Sequence, residues 1–162
     1  MAGQRYLKPG RFTRKVFNPA VRGLTRLGIS VWGSRELRVR GRKSGQWRAT
    51  PVNLIIVYGQ RYLLAPRGTT DWVRNLRAAG GGELRVGRRS DRFTALELDD
   101  AAKPPIVREY LRRWKFVAGA FFDGLDQHAS DERLLAIAPG IPVFRIDPLV
   151  RPNSIPGAYH SN

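Results

Sequence analysis

The sequence of 162 residues contains no cysteine and only two histidines, His128 and His160. The absence of cysteine excludes disulfide bonds, thiolate nucleophiles and cysteine-ligated metal sites. Because the histidines lie far apart in the chain, no histidine-based metal site is expected. No apolar run approaches the ~20 residues that cross a bilayer, and no segment resembles the apolar region of a signal peptide. No spacing of carboxylates, or of Ser, His and Asp, defines a catalytic set, so catalytic side chains stay unassigned.

Acidic residues are scarce, with 13 Asp and Glu against 29 Lys and Arg, which gives a formal net charge of +16. The imbalance is concentrated in residues 1–48, which hold 13 basic residues and one acid, Glu36, for a net charge of +12. Residues 49–162 hold 16 basic and 12 acidic residues, for a net charge of +4. Such a field favours an anionic partner: a nucleic acid, an anionic membrane surface or a highly charged cofactor.

A hydrophobic content of 42% with 10% aromatic residues indicates one folded domain with a sizeable core. We place this domain at residues 36–147, between a basic N-terminal arm (1–35) and a C-terminal tail (148–162). In the arm, residues 19–30 are predicted to form a short basic helix that lies on an anionic membrane or covers the core. A partly ordered arm with solvated charges is the alternative. We therefore expect a cytoplasmic protein, peripheral at the inner face of the membrane if the arm docks there.

Short apolar runs, turn residues and helix-capping residues define the expected elements. They predict strands at 37–40, 50–58, 61–65, 83–86, 92–98 and 141–146, and helices at 71–79, 99–114 and 130–137. The apolar run 54–57 is expected to be buried on both faces, and the turn between the fourth and fifth strands is placed at 87–91. Strands joined mostly by hairpins, with helices between them, predict an α+β protein built on an antiparallel sheet or small barrel.

The stretch 41–48 lies between the first two predicted strands and is the first candidate site. It combines two glycines, a hydroxyl and three cations: Gly41, Gly45, Ser44, Arg42, Lys43 and Arg48. The glycines allow positive φ and so allow backbone N–H groups to converge, while the cations surround the same point. This pattern predicts a site for a phosphate or a polycarboxylate. An ordinary basic hairpin turn is the alternative interpretation.

A second candidate anion site follows the third predicted strand, where a glycine turn leads into a helix. Arg67 and the hydroxyls of Thr69 and Thr70 add hydrogen-bond donors, and Thr70 is the expected N-cap of the helix. Trp72 and Leu76 lie four residues apart and are expected to pack inward, with Trp72 mainly a core residue.

Together the two stretches read Gly-Arg-Lys-Ser-Gly-x-x-Arg-x-x-Pro at 41–51, an apolar strand, and Ala-x-Arg-Gly followed by Trp-x-x-Asn-Leu-x-Ala at 65–78. This pattern resembles the deazaflavin-dependent nitroreductase family, and the similarity covers about residues 36–147. It implies a mainly antiparallel split β-barrel with peripheral helices. The chain departs from the family pattern at 69–71, a shorter loop than is common, and at Val73, where a tyrosine is common.

The resemblance also implies an activity, a cofactor and its binding residues. The activity is hydride transfer from reduced coenzyme F420 to a small apolar acceptor of quinone or nitroaromatic type, without a metal. Residues implied to contact the phosphate and acidic tail are Arg42, Lys43, Ser44 and Gly45, with Arg48 beside them. Pro51, Val52 and Asn53 would lie along the deazaflavin edge, and Ala65, Pro66, Arg67 and Gly68 next to the ring system and phosphate. Trp72 and Asn75 would hold that second loop in place.

Two other hypotheses stay open from the sequence. One is a related protein that binds F420 or another flavin without reductase turnover. The other is a basic nucleic-acid-binding protein, for which the net charge of +12 in residues 1–48 argues. It ranks last because the sequence has neither a recognisable recognition helix nor an aromatic RNA-binding strand.

Overall fold

The structure, a computed structural model, describes residues 34–115 and 121–149. In chain order the elements are β1 (Ser34–Arg40), β2 (Trp47–Val57), β3 (Gln60–Leu64), α1 (Asp71–Ala79), β4 (Gly81–Val86), β5 (Arg89–Glu97), α2 (Pro104–Arg113), α3 (Asp131–Ile137) and β6 (Val143–Pro148). Short 3-10 turns precede α2 and follow α3. The predicted order of strands and helices is therefore observed. The helix predicted at 19–30 and most of the predicted tail lie outside the described residues.

Within the described residues the six strands form a closed barrel in the order β1-β2-β3-β6-β5-β4, and every neighbouring pair is antiparallel. The predicted split β-barrel of α+β class is confirmed. The turn predicted at 87–91 was too long. Gly87 takes a φ of 57°, which permits a two-residue turn, so β5 already begins at Arg89.

Alternate residues of the strands fill two apolar cores. Inside the barrel, Leu54 packs with inward side chains of the other strands, while on the outside Ile55 packs against α2. The expectation that 54–57 is buried on both faces was thus right for the first two residues. It was wrong for Ile56, which is 49% exposed because it lies at the end of the barrel, next to the β2–β3 turn.

Helix α1 is held against one end of the barrel by its termini. Gly80 ends the helix at a φ of 69°, and its N–H donates to the carbonyl of Leu76 at 2.9 Å. The chain then enters β4 at Gly81, where a Cβ atom would lie 2.3 Å from the carbonyl oxygen of Phe93. Gly80 and Gly81 therefore end the helix and lead the chain directly into the sheet.

Tyr110 on α2 connects this helix to β2. It is buried, and the side chain of Asn53 hydrogen-bonds to it. Burial raises the pKa of Tyr110 to about 12, and the bond from Asn53 opposes that rise. Asn53 is thereby committed to a contact between the barrel and α2.

We expect the free energy of unfolding to fall by about 2 kcal/mol between pH 10 and pH 12 on account of Tyr110. The unfolded tyrosine ionises near its ordinary pKa of 10.0, whereas the folded one keeps its proton up to about pH 12. The contribution of Tyr110 to stability is therefore complete below the unfolded pKa and is lost as the pH rises to the folded pKa. Urea unfolding at a series of alkaline pH values measures this loss. Tyr110→Phe should abolish the difference between the two pH values, and an unchanged slope in that variant would contradict the assignment.

Candidate functional site

A cleft of about 590 Å³ lies at the end of the barrel where β1 turns into β2 and β3 leads to α1. Its walls come from loop 41–46, the first residues of β2, the 65–70 connection and the first turn of α1. Predicted site residues that line it are Arg42, Lys43, Ser44, Arg48, Pro51, Arg67, Trp72 and Asn75. The fold thus brings the two predicted anion sites, about twenty residues apart in the chain, into one cleft.

Loop 41–46 differs from the predicted set of convergent N–H groups. Gly45 has a φ of 67°, as expected, but Gly41 is not among the described glycines with positive φ. Gly41 is required by space instead, because a Cβ atom there would lie 2.9 Å from Ser44 Oγ. The N–H groups of both glycines are used within the loop, from Gly41 to Gln46 O and from Gly45 to Gly41 O, each at 2.8 Å. Ligand binding here therefore depends on side chains more than on these two amides.

Asn75 joins helix α1 to this loop. Its Oδ1 atom accepts a hydrogen bond from the backbone N–H of Arg42 at 3.2 Å and one from the Arg42 guanidinium at 2.9 Å. Asp71 Oδ1 lies 3.4 Å from the same guanidinium. The predicted role of Asn75 is corrected: it holds the 41–46 loop and not the 65–68 segment. Arg42 is consequently fixed in direction before any ligand binds.

Two other cations of the cleft are exposed and uncommitted. Among residues 34–115 and 121–149, Lys43 and Arg48 form no hydrogen bond or ion pair, and both line the cleft. Ser44 Oγ accepts a weak bond from Gln46 N–H at 3.3 Å, which leaves the hydroxyl proton able to donate to a ligand. These three side chains can close around an anion without breaking an existing contact.

Thr70 occupies the predicted N-cap position, but its hydroxyl does not cap the helix. Its backbone is extended and its carbonyl accepts from Arg74 N–H at 3.1 Å, whereas no side-chain cap bond forms. Thr70 Oγ1 is buried, has no hydrogen-bond partner among residues 34–115 and 121–149, and belongs to a residue that lines the cleft. Because buried hydroxyls in native proteins are nearly always paired, this oxygen fits a polar group of a bound ligand.

Trp72 has both a packing role and a position on the cleft wall. Its ring centroid lies 6.1 Å from that of Phe144, and it packs against the inner core together with the buried Leu76. The inward orientation predicted for this helix face is confirmed. The ring is only half-buried, however, and its remaining surface forms an apolar wall of the cleft.

The structure places other predicted site residues outside the lining of the cleft: Gly45, Val52, Asn53, Ala65, Pro66 and Gly68. Val52 and Ala65 belong to the inner core, and Asn53 bonds to Tyr110, so their predicted contact with a ligand is replaced by packing. Lining residues that were not selected from the sequence are Val39, Ala49, Thr50 and Asp71, whereas Gly41 and Thr70 belonged to the two predicted anion sites. Ala49 and Thr50 stand between Arg48 and Pro51, so the motif already contained a signal for them.

The sequence profile of the F420H(2)-dependent quinone reductase family matches residues 25–117. The chain belongs to this family. It is thus an F420H2-dependent reductase that uses coenzyme F420 and a small-molecule acceptor. The cations and the unpaired hydroxyl of the cleft fit a cofactor that carries a phosphate and an acidic tail.

Solved structures resemble this F420H2-dependent reductase in fold at low identity. A structure described as an F420-H2 dependent reductase (FDR-A) has 18% identity and a TM-score of 0.51, covering 71% of this chain and 94% of its own. A conserved hypothetical protein from Mycobacterium tuberculosis has 13% identity and a TM-score of 0.52, with coverages of 91% and 84%. A domain-swapped dimer has 18% identity and a TM-score of 0.51, with coverages of 86% and 100%. No curated protein matches the chain.

No helix within 34–115 or 121–149 is long and apolar enough to span a bilayer. The basic arm predicted at 1–35 lies, except for its last two residues, outside the described part of the chain.

Proposed function

We propose that this reductase transfers a hydride from F420H2 to a small, apolar, oxidised acceptor of quinone or nitroaromatic type, with the cofactor held in the 590 Å³ cleft. The observation that carries the proposal is the composition of that cleft. Cationic side chains from one loop, an unpaired hydroxyl at a helix start and an apolar wall face a common space. A polyanionic cofactor with a flat, weakly polar ring needs this combination of partners.

Lys43, Ser44 and Arg48 are proposed to bind the phosphate and acidic tail. They lie on one side of the cleft and are free to move toward an anion. Arg42 is proposed to contact the same anionic groups from a fixed direction, because Asn75 and Asp71 hold its guanidinium. Arg67 lines the cleft from the second loop. Charge-assisted contacts of this kind are the stronger class of hydrogen bonds in proteins.

Hydride transfer requires little chemistry from the protein side chains. When bound, reduced F420 supplies the hydride. Trp72 and Pro51 offer apolar surface against which a ring system and an apolar acceptor can be oriented and shielded from water. Asp71 is exposed and lies within 3.5 Å of both Arg42 and Arg74, so we assign it a positioning role and no proton transfer.

Two measurements test the proposal. Fluorescence titration of the purified protein with oxidised F420, FMN and FAD should show binding to F420 at micromolar protein and weaker binding to the others. Oxidation of F420H2 should then be followed with a naphthoquinone and with a nitroaromatic compound. No binding to F420 would refute the cofactor site. Binding without turnover of either acceptor would refute the acceptor class and favour a carrier.

Thr70→Val should weaken F420 binding about tenfold while leaving the protein equally or more stable. The hydroxyl has no partner in the free protein, so its removal costs the fold nothing and relieves a buried unpaired oxygen. Titration with F420 and thermal unfolding of the same sample measure the two effects. Thr70→Ser keeps the hydroxyl and is the control. A loss of stability in Thr70→Val without a loss of affinity would show that the hydroxyl serves the fold.

The basic arm at 1–35 is proposed to contact an anionic membrane surface. Support comes from its charge alone, since residues 1–33 contain seven basic residues and no acid. Deleting residues 1–30 and measuring co-sedimentation with anionic liposomes tests this role of the arm. Undiminished binding after the deletion would show that the arm is not needed.

A further inference from the structure

The end of the barrel opposite the cleft carries an unusual set of exposed residues. The β2–β3 turn (58–59), the β4–β5 turn (87–88), the start of β1 and the end of β6 all meet there, as the strand order and registers require. The cleft-lining loops lie at the other ends of the same strands. We call this surface the distal end.

Three large apolar residues at the distal end are exposed. Tyr58 is 101% exposed, Leu149 is 53% exposed and Ile56 is 49% exposed. Gln60 Nε2 donates to Ile146 O and to Asp147 Oδ1, each at 3.1 Å, which fixes the end of β6 beside the β2–β3 turn. All three exposed side chains therefore belong to residues at the same end of the barrel.

Tyr58 has a backbone conformation that is unfavourable for an aromatic residue. It has a φ of 49° in a two-residue turn with Gly59, whose φ is 77°. Asparagine, aspartate and glycine favour this left-handed region, whereas a bulky aromatic residue is disfavoured there. Full exposure leaves Tyr58 no packing contact that could offset the strain. A fully exposed aromatic residue in a strained conformation at a turn tip indicates a contact with a partner outside the folded chain.

The distal end also carries positive charge. Arg88 and Arg89, at the β4–β5 turn, are exposed and form no hydrogen bond or ion pair within the described residues. Two acidic residues lie at this end as well: Asp91 is exposed, and Asp147 is paired with Arg145 at 3.1 Å. The seven basic residues of 1–33 enter the fold at Ser34, at this same end. Exposed aromatic and aliphatic residues beside arginines match the interface of an anionic bilayer.

We propose that the distal end docks on an anionic lipid surface. Tyr58, Ile56 and Leu149 enter the headgroup region, and Arg88 and Arg89 contact lipid phosphates. The proposal extends membrane contact from the basic arm to the folded barrel, and it does not depend on the identity of the acceptor. In this orientation the cleft faces away from the bilayer and stays open to dissolved cofactor.

Binding of the full-length protein to vesicles of phosphatidylglycerol and phosphatidylcholine, with pure phosphatidylcholine vesicles as reference, tests the proposal. Tyr58→Asn should weaken binding to the anionic vesicles about fivefold while thermal stability is kept or raised, because asparagine favours the turn. Arg88→Gln with Arg89→Gln should weaken it roughly 25-fold, about fivefold for each charge near an anionic surface. F420 affinity should be unchanged in these variants and in the presence of vesicles.

Matched controls distinguish a specific role of the distal end from general effects of exposed apolar area and net charge. Leu96→Asn removes an apolar side chain that is 54% exposed but lies on the flank of β5, and it should leave binding unchanged. Lys43→Gln with Arg48→Gln removes the same number of charges at the cleft and should have little effect on vesicle binding. Wild-type binding by Tyr58→Asn and by the double arginine variant would overturn the proposal. So would binding that disappears entirely when residues 1–30 are deleted, or an absence of binding by the wild type.

Discussion

Replacing Lys43 and Arg48 together with glutamine lowers the affinity for F420 by about 100-fold, roughly tenfold for each cation. Both side chains line the cleft, and neither has a hydrogen-bond or ion-pair partner among the described residues. Their removal therefore costs charge-assisted contacts with the ligand and little else. We expect thermal stability to stay within the range of the wild type, because exposed charges without partners contribute little to it.

The matched control for this variant is Arg88→Gln with Arg89→Gln, which removes the same number of charges at the distal end. Titration with F420 at several salt concentrations should give wild-type affinity for the control and a shallower salt dependence for the cleft variant. Equal losses in the two double variants would mean that net charge alone attracts the cofactor, and that the cleft has no specific contacts with it.

Asn75→Leu is expected to lower both stability and cofactor affinity. Leucine fills a similar volume, so the main change is loss of the Oδ1 atom that accepts from the Arg42 backbone and guanidinium. Leaving the backbone N–H of Arg42 without its partner should lower the free energy of unfolding by about 2 kcal/mol. With the 41–46 loop no longer fixed, F420 affinity should fall about tenfold. Urea unfolding and F420 titration measure the two effects.

A double-mutant cycle with Arg42→Met decides whether Asn75 acts through Arg42. If it does, the double variant should bind F420 no more weakly than Arg42→Met alone, because the guanidinium that Asn75 orients is already absent. Independent, additive losses would contradict a positioning role and would place Asn75 in direct contact with the ligand.

Much of the fold follows from local patterns in the sequence. The predicted helix at 71–79 coincides with α1: Gly80 ends it in the left-handed conformation, a short-range preference, and Thr70 holds the N-cap position although its hydroxyl forms no cap bond. The predicted strand order is observed for the same reason: apolar runs and turn residues are short-range signals. The predicted turn at 87–91 was too long because a glycine with positive φ can shorten a hairpin without any change in residue pattern.

The site was predictable only where a family motif is contiguous in the chain. The motif placed Lys43, Ser44, Arg48 and Trp72 in the cleft, as observed. It also selected Val52 and Ala65, which the barrel buries, because adjacent residues of a strand alternate between its two faces. A sequence pattern without a defined register does not reveal which face a residue will take.

The sequence by itself determined the class of this protein, through its basic charge, the order of its strands and two motifs of an F420-dependent family. Only the tertiary structure decided that Asn75 fixes Arg42, 33 residues away, and that the Thr70 hydroxyl is left without a partner. It also placed Tyr58 at the end opposite the cleft. These facts depend on closure of the barrel, which sets distances between residues far apart in the chain. Local preferences act over a few residues and do not encode such distances.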